Sequence, residues 1–306
     1  MTQLSRRIFI KNNSLALAGI SLGSLSFDSF KKYRPNLSFS TLGCPDWSFE
    51  TIVNFAAANN YTGIEFRCLM RELDLTKCKP FSSPENIQAT LNILQEKKLK
   101  IVDLGSSSTM HIKDPIERKK TMEEGQRFID LASQLNCPYV RVYPNNLPKN
   151  QDPSNTFILI SNGLKELGDY AKGKGVKVLM ETHGDLVHIA DIKKVMELTD
   201  HPEVGLIWDV VNMWSVTKEQ PLQVYDALQK YIYHTHIKDV RFEAGNMKHV
   251  LFAEGESPIF EAIDILAKQN YTGYYSFEWE KMWHPEIGEP EVALPDFSKK
   301  MLAHFK

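Results

Sequence analysis

Cysteine is scarce in this chain, which has four in 306 residues (Cys44, Cys68, Cys78 and Cys137) and no C-x-x-C pair. Cysteines scattered in this way form neither a disulfide framework nor a cysteine metal site. None has a histidine near it in the sequence, so none is a candidate nucleophile. We expect buried free thiols, with a Cys68–Cys78 disulfide as the alternative.

An excess of charge of one sign is also missing. The 36 basic and 38 acidic residues are interspersed, and the formal net charge is −2. A basic surface of the kind that binds nucleic acid is therefore not expected. The apolar content of 42% is sufficient for a sizeable core, in one large domain or two small ones.

The N-terminus has the pattern of an export signal. Ser5-Arg6-Arg7-Ile8-Phe9-Ile10-Lys11 precedes an uncharged, mostly apolar run from Ser14 to Phe27. Paired arginines before such a run predict a twin-arginine signal and a periplasmic location, with residues 1–33 as signal and linker. The run is too short and too rich in Gly and Ser to predict a stable membrane span. No clear small-x-small cleavage site follows, so an uncleaved anchor and an amphipathic N-terminal helix are the alternatives.

From Leu37 onward, short β-branched runs alternate with longer helical patterns. Such alternation predicts parallel strands joined by helical crossovers. Eight units in about 270 residues predict a (β/α)8 TIM barrel over residues 34–306. An open doubly wound sheet is the alternative, but the first turn, Gly43-Cys44-Pro45-Asp46, is not a glycine-rich dinucleotide turn. The predicted strands are Leu37–Leu42, Gly63–Phe66, Lys100–Leu104, Tyr139–Tyr143, Lys177–Glu181, Val204–Asp209, Ile232–Ile237 and Tyr274–Glu278, and the predicted helices include Phe49–Asn59, Pro84–Lys97, Pro115–Leu135, Asn155–Lys174 and Pro258–Gln269.

Four of these strands reach a residue suited to metal binding or acid/base chemistry: Glu181, Asp209, His236 and Glu278. Because strand side chains alternate in direction, all four share the inward face near the carboxyl ends of the strands, where barrel enzymes have their active sites. Burying three carboxylates together without a cation would be costly. The sequence therefore predicts one divalent ion at these residues, and Mn²⁺, Mg²⁺, Zn²⁺, Co²⁺ and Fe²⁺ all suit the donor set.

Each of these residues alone has a structural alternative. A carboxylate at a strand end often caps a helix or pairs with a base. His234 is interpreted as a hydrogen-bonded core histidine and not as a ligand. Four such residues on consecutive strands favour the metal site.

The motifs resemble those of the xylose isomerase-like barrel superfamily of sugar isomerases and epimerases, which also contains inosose dehydratases and endonuclease IV. The resemblance covers about residues 37–306. It implies the same four metal ligands, because the family uses a Glu, an Asp, the second His of H-x-H and a final Glu. Many ketose epimerases have a His where this chain has Asn212, and the additional ligands of the three-zinc endonuclease are missing from the sequence. The motifs that carry the resemblance are GIEFR (63–67), ETHG (181–184), DVVN (209–212), HTHIKD (234–239) and FEWE (277–280).

The resemblance implies a metal-dependent sugar isomerase or epimerase. Glu181 or Glu278 would remove a proton beside a carbonyl that the metal polarises, giving an enediolate, and the other carboxylate would return the proton. Substrate hydroxyls are expected to contact His183, Asn212 and Lys238, which lie close to the ligands in sequence.

Further substrate contacts are expected from Glu65 and Arg67 at the end of the second strand and from Arg141 on the fourth. An Arg–Glu pair that stitches the barrel together is the alternative for these residues. Trp47 and Trp283 lie in loops expected at the active face, where indole rings stack well on sugars. Core packing is the alternative for both.

The same site also supports two other functions. Proton removal beside a keto group could expel a leaving group, giving a lyase or dehydratase that acts on keto-sugars or 3-keto-glycosides. A non-catalytic sugar-binding barrel is less favoured, because all four ligand positions are intact. In each case the partner is a small-molecule sugar or sugar derivative, and association into a homo-oligomer is a further expectation.

Overall fold

Eight parallel strands close into a barrel in the computed structural model, which describes residues 33–150 and 152–306. The barrel strands are β1 (Asn36–Ser40), β2 (Gly63–Phe66), β3 (Lys100–Thr109), β4 (Tyr139–Tyr143), β5 (Lys177–Glu181), β6 (Val204–Asp209), β7 (Ile232–Ile237) and β10 (Tyr274–Phe277). Each strand pairs with the next barrel strand along the chain, and β10 pairs with β1 to close the ring. The prediction of a (β/α)8 barrel is therefore confirmed.

The strand ladder brings polar residues of neighbouring strands to the same level. Asp209 of β6 is beside His236 of β7, and His236 is beside Ser276 of β10. Trp208 and Phe277 alternate with these residues, so they face outward, where they are buried. The barrel therefore has a polar interior at this level and an apolar outer face.

Helices surround the barrel, and several begin where the sequence predicts. Ser48 and Ser83 each accept a hydrogen bond from a backbone N–H of the first turn, and Pro84 and Pro115 occupy the first turn of their helices. Pro258 instead lies one residue earlier, at the N-cap. Within the described residues the α-helices are α1 (Phe49–Ala58), α2 (Pro84–Lys97), α3 (Pro115–Gln134), α4 (Pro153–Ala171), α5 (Ile189–Thr199), α6 (Val210–Thr217), α7 (Pro221–Leu228), α8 (Ile259–Lys268) and α9 (Pro290–His304).

The sequence patterns miss a hairpin in the connection that follows β7. Its strands, β8 (Asp239–Glu243) and β9 (Asn246–Val250), pair antiparallel and are mostly exposed. Val240 and Phe242 alternate with polar residues in β8, but β9 shows no such alternation, so only one of the two strands has the signal that would predict it. Asp239 anchors the base of the hairpin, because its carboxylate accepts hydrogen bonds from the backbone N–H groups of Val240 and Gly255.

Two other expectations concern the cysteines and the N-terminus. All four cysteines are buried free thiols, as expected, and Cys68 and Cys78 are not bonded to each other. The predicted signal and linker lie outside the described residues, apart from Tyr33. In the described part of the chain, no helix is both long enough and apolar enough to cross a membrane.

Candidate metal centre

Three carboxylates and one imidazole meet inside the barrel, at the carboxyl ends of its strands. Glu181, Asp209, His236 and Glu278 each contribute an oxygen or nitrogen atom, and these atoms lie within 4.8 Å of one another. All four residues are buried, with at most 4% of their surface exposed. The fold thus brings the four predicted ligands together, and we call them the central cluster.

The end of a strand places each carboxylate. Glu181 and Asp209 are the last residues of β5 and β6, and Glu278 directly follows β10. Asp209 also caps α6, because its Oδ1 atom accepts a 2.7 Å hydrogen bond from the backbone N–H of Asn212. The other oxygen of Asp209 lies 3.9 Å from His236 Nδ1.

Glu65, on β2, orients the ring of His236. His236 Nε2 is 3.0 Å from Glu65 Oε2, and the same oxygen is 3.1 Å from His234 Nε2. The other ring nitrogen of His236, Nδ1, is 3.4 Å from Glu181 Oε1 and 3.3 Å from Glu278 Oε1 but has no hydrogen-bond partner. A carboxylate on one ring nitrogen and a free second nitrogen are typical of a metal-binding imidazole. The contact of His234 with Glu65 is the kind of hydrogen bond expected of a core histidine, which is how the sequence analysis interprets it.

The ammonium group of Lys238 contacts two carboxylates of the central cluster. Its Nζ atom is 2.8 Å from both Asp209 Oδ2 and Glu278 Oε2, and 2.6 Å from Glu280 Oε1. Burial alone would lower the pKa of Lys238, but these three carboxylates raise it well above its usual value. Lys238 is therefore a fixed positive charge beside the predicted ligands.

The buried interior still carries more negative than positive charge. Of the described residues that are almost fully buried, six are carboxylic acids and three are lysine or arginine. Burial raises the pKa of Asp103 well above its usual value, and the nearby Glu65 adds to the rise. The buried carboxylic acids therefore outnumber the buried lysine and arginine side chains by three, and a divalent cation would offset part of this excess. The acids are Glu65, Asp103, Glu181, Asp209, Asp239 and Glu278, and the bases are Arg67, Arg141 and Lys238.

Repulsion within the central cluster is visible at Asp209. Burial raises the pKa of Asp209 to about 7, and Glu278 and Glu181 add to the rise while Lys238 opposes it. A divalent cation between the carboxylates would favour their ionised forms and so remove this conflict. Carboxylate oxygens with one imidazole nitrogen suit a divalent metal, so the residues present fit such an ion.

Asn212 and His183, both predicted to contact substrate, are half-buried near the central cluster. Asn212 Nδ2 is 3.4 Å from Glu181 Oε1, so its amide is held against a predicted ligand. His183 follows Glu181 by two residues, and its Nδ1 atom is 3.0 Å from Asn145 Oδ1. Both side chains retain some exposed surface with which to meet a substrate.

The structure places Glu65 and Arg141 differently from the substrate contacts expected of them. Glu65 is 1% exposed and holds His236 by a hydrogen bond. Arg141 is fully buried, with Nη1 3.3 Å from Glu181 Oε2 and the guanidinium 3.9 Å from the centre of the Tyr143 ring. Both residues support the predicted ligands from behind, because they face inward at a level below the strand ends. The Arg141–Glu181 contact is an Arg–Glu ion pair within the barrel, which is the alternative to a substrate contact given above.

Arg67 and the two tryptophans lie nearer the loops. Arg67 is 3% exposed and donates a 2.9 Å hydrogen bond from Nη2 to Ser107 Oγ. Trp47 is half-buried and packs against Phe55, with ring centroids 4.8 Å apart. Trp283, in the loop after β10, is 47% exposed. Trp283 thus has the exposure that stacking on a sugar requires, whereas part of the Trp47 ring is covered by Phe55.

A second group, to which the sequence reasoning assigns no role, consists of His249, Glu280 and His284. Their ligand atoms also lie within 4.8 Å of one another, and we call this group the outer cluster. His249 lies on the hairpin that the sequence patterns miss. The available signal was the pair Glu280 and His284, four residues apart directly after the last strand.

The chain belongs to the xylose isomerase-like TIM barrel family, whose sequence profile matches residues 53–299. The resemblance seen in the strand-end motifs is therefore confirmed at the level of the family. This membership fits the closed parallel barrel and the position of the central cluster within it.

Individual relatives of this chain include dehydratases and epimerase-like proteins. It is 26% identical over 242 residues to the inosose dehydratase of Clostridium botulinum (strain Alaska E43 / Type E3), which covers 68% of this chain and 77% of the relative. The solved structure of the IOLI protein with a bound zinc atom has a TM-score of 0.72 at 18% identity, and the match covers 88% of this chain and 97% of that one. A D-tagatose 3-epimerase-like protein has a TM-score of 0.68 at 19% identity, covering 88% and 96%. At these identities, the two structural matches show a shared fold.

Proposed function

We propose that this chain is a divalent-metal-dependent lyase acting on a polyhydroxylated keto compound, such as a keto-sugar or keto-cyclitol. It would remove the proton beside the carbonyl and expel the neighbouring hydroxyl as water. We rank this outcome above the isomerase or epimerase that the sequence analysis favoured, because relatives that align over 68% of the chain are inosose dehydratases.

The observation that carries the proposal is the position of two carboxylates around one atom. Glu181 Oε1 and Glu278 Oε1 lie 3.4 Å and 3.3 Å from His236 Nδ1, so both flank the same binding position. A divalent ion held there would polarise the carbonyl of a substrate and make the adjacent C–H more acidic. Either carboxylate is then placed to take that proton.

We assign the proton removal to Glu181 and the stabilisation of developing negative charge to Lys238. Arg141 lies 3.3 Å from Glu181, and its positive charge favours the ionised, basic form of Glu181. The electrons of the C–H bond form a carbon–carbon double bond as the neighbouring C–O bond breaks. The departing hydroxide takes back the proton that Glu181 removed and leaves as water, and the fixed charge of Lys238 offsets the negative charge as it develops.

Epimerisation is the second candidate, and the pairing of Glu181 with Glu278 favours it. Two carboxylates flanking one position can take a proton from one face of a carbon and return it to the other. In that case the substrate keeps its carbon–oxygen bonds.

Incubation with keto-inositols, 3-keto-glucosides and ketohexoses in D₂O, followed by NMR and mass spectrometry, separates these outcomes. The lyase should release water or aglycone and give an unsaturated ketone. Deuterium uptake with an intact skeleton would instead identify an epimerase or isomerase. If no substrate of the panel exchanges in the metal-loaded protein while sugars still bind, the catalytic proposal is wrong and a sugar-binding barrel replaces it.

We also propose that the chain is exported to the periplasm. The support is the pair Arg6-Arg7 before the apolar run from Ser14 to Phe27. Replacing both arginines by lysine in the full chain should leave the protein in the cytoplasm on cell fractionation. Unchanged export of the variant would contradict a twin-arginine route.

A further inference from the structure

The outer cluster joins two segments at the mouth of the barrel. His249 lies on β9 of the hairpin, whereas Glu280 and His284 belong to the segment after β10. The rings of His249 and His284 pack with their centroids 4.6 Å apart. His284 is held near Glu280 by a 2.9 Å hydrogen bond from its backbone N–H to the carbonyl of Glu280.

Each side chain of the outer cluster has one nitrogen or oxygen atom that could bind a metal ion. In Glu280 and His284, the other polar atom of the side chain contacts a neighbouring charged group. Glu280 Oε1 lies 2.6 Å from Lys238 Nζ, while Glu280 Oε2 lies 4.0 Å from His284 Nε2. His284 Nδ1 is 3.4 Å from Glu286 Oε1, which favours a lone pair on Nε2. These are the contacts by which neighbouring groups orient metal ligands.

His249 has a buried nitrogen without a partner. Its Nδ1 atom is shielded from solvent and makes no hydrogen bond. A shielded nitrogen with no partner is unfavourable unless something binds it.

The outer cluster borders open space. A cavity of about 680 Å³ lies against it and is lined by His249, His284, Glu286 and Trp279. Three protein ligands beside an open cavity leave room for water or a small molecule to complete the coordination of a metal ion.

We propose that His249, Glu280 and His284 form a second metal site, which takes a first-row transition ion such as Zn²⁺ or Co²⁺. Two imidazoles and one carboxylate suit these ions, whereas Mg²⁺ and Ca²⁺ prefer oxygen ligands. The site lies outside the central cluster and shares none of its residues. The outer cluster has one carboxylate where the central cluster has three, so the second ion binds more weakly than the first.

Metal stoichiometry tests this proposal. The full chain, free of any histidine tag, is stripped with a chelator, dialysed to equilibrium against Zn²⁺ or Mg²⁺, and analysed by mass spectrometry for bound metal. We expect two Zn²⁺ but one Mg²⁺ per chain. His249→Ala and His284→Ala should each bind one Zn²⁺, and each should lose the weaker step of the wild-type titration.

The matched control is His304→Ala, which removes a histidine that lies 2.6 Å from Asp264 away from both clusters. This variant should still bind two Zn²⁺ ions. Thermal melts of the metal-free variants establish that each is folded, and His284→Asn serves as the conservative substitute if His284→Ala melts early.

One Zn²⁺ in the wild type, or two in both His249→Ala and His284→Ala, would overturn the second site. Asp209→Asn separates this proposal from the proposed function, because it should remove the ion of the central cluster and leave the outer one. If Asp209→Asn keeps both ions while His249→Ala loses one, the second site stands and the assignment of the central cluster is wrong.

Discussion

The central and outer clusters both combine carboxylate and imidazole groups, in different proportions, and they are built in different ways. Residues of the central cluster lie at or beside strand ends, where pairing to neighbouring strands fixes the backbone. The outer cluster draws His249 from a hairpin and His284 from a loop, and all three of its residues are half-buried. Buried, fixed carboxylates are what proton transfer requires, because geometry and pKa must both be set before the substrate arrives. A loop-built site instead depends on how the hairpin is seated.

The largest expected effect is the loss of turnover when a carboxylate of the central cluster becomes an amide. Glu181→Gln and Glu278→Gln should each lower kcat about 10³-fold or more, because an amide can neither accept a proton nor supply the charge of a carboxylate at the metal position. The measurement is turnover of the substrate found with the keto-sugar panel, with the metal content of each variant determined in parallel.

The control for these variants is Glu96→Gln, which changes an exposed glutamate on α2 and should leave kcat unaltered. Metal content separates the two roles of the carboxylates. A variant that keeps its metal and loses turnover has lost its acid/base group. Near-normal turnover in either Glu181→Gln or Glu278→Gln would rule out that residue as a member of the acid/base pair.

The two clusters also differ in how far the sequence predicts them. The central cluster is readable because parallel strands begin and end at common levels, so that Glu181, Asp209 and His236 must meet if the strands are adjacent. The outer cluster depends on a hairpin whose position is set by Asp239 and its hydrogen bonds to distant backbone groups. No local pattern contains that information.

The height of a residue within the barrel is a second property that the sequence does not show. Period two indicates that Glu65 and Arg141 face inward, but not how far below the strand ends they lie. Between β2 and β3 the register shifts at Ile64 and Glu65, and such shifts cannot be read from a strand's own residues. In the structure, Glu65 and Arg141 therefore contact the predicted ligands His236 and Glu181 from a lower level of the barrel.

A smaller effect, on metal affinity, is expected when the carboxylate that contacts a histidine ligand is replaced in each cluster. Glu65→Gln should weaken metal binding at the central cluster about 10- to 100-fold, because Glu65 orients His236 within a dry interior. Glu286→Gln should weaken the outer cluster less than about threefold, because the side chain of Glu286 is 66% exposed and its contact with His284 is screened. Competition with a chromophoric chelator measures both affinities. Equal losses at the two sites would contradict the distinction between a buried and an exposed support.

The smallest expected effect is a change in how stability depends on pH. Both carboxyl oxygens of Asp103 are buried without a hydrogen-bond partner, and burial raises its pKa above the value in the unfolded chain. The folded protein therefore holds this proton to higher pH than the unfolded chain does, so the stabilisation is complete below the unfolded pKa and is lost as pH rises through the folded one. Asp103→Asn cannot titrate, so its stability relative to wild type should grow above about pH 4, by at most about 1.4 kcal/mol per pH unit.

Urea unfolding of metal-free protein from pH 4 to 8 measures this difference, with Asp226→Asn on the exposed face of α7 as the matched control. A constant difference between Asp103→Asn and wild type across this range would show that the folded barrel does not raise the pKa of Asp103.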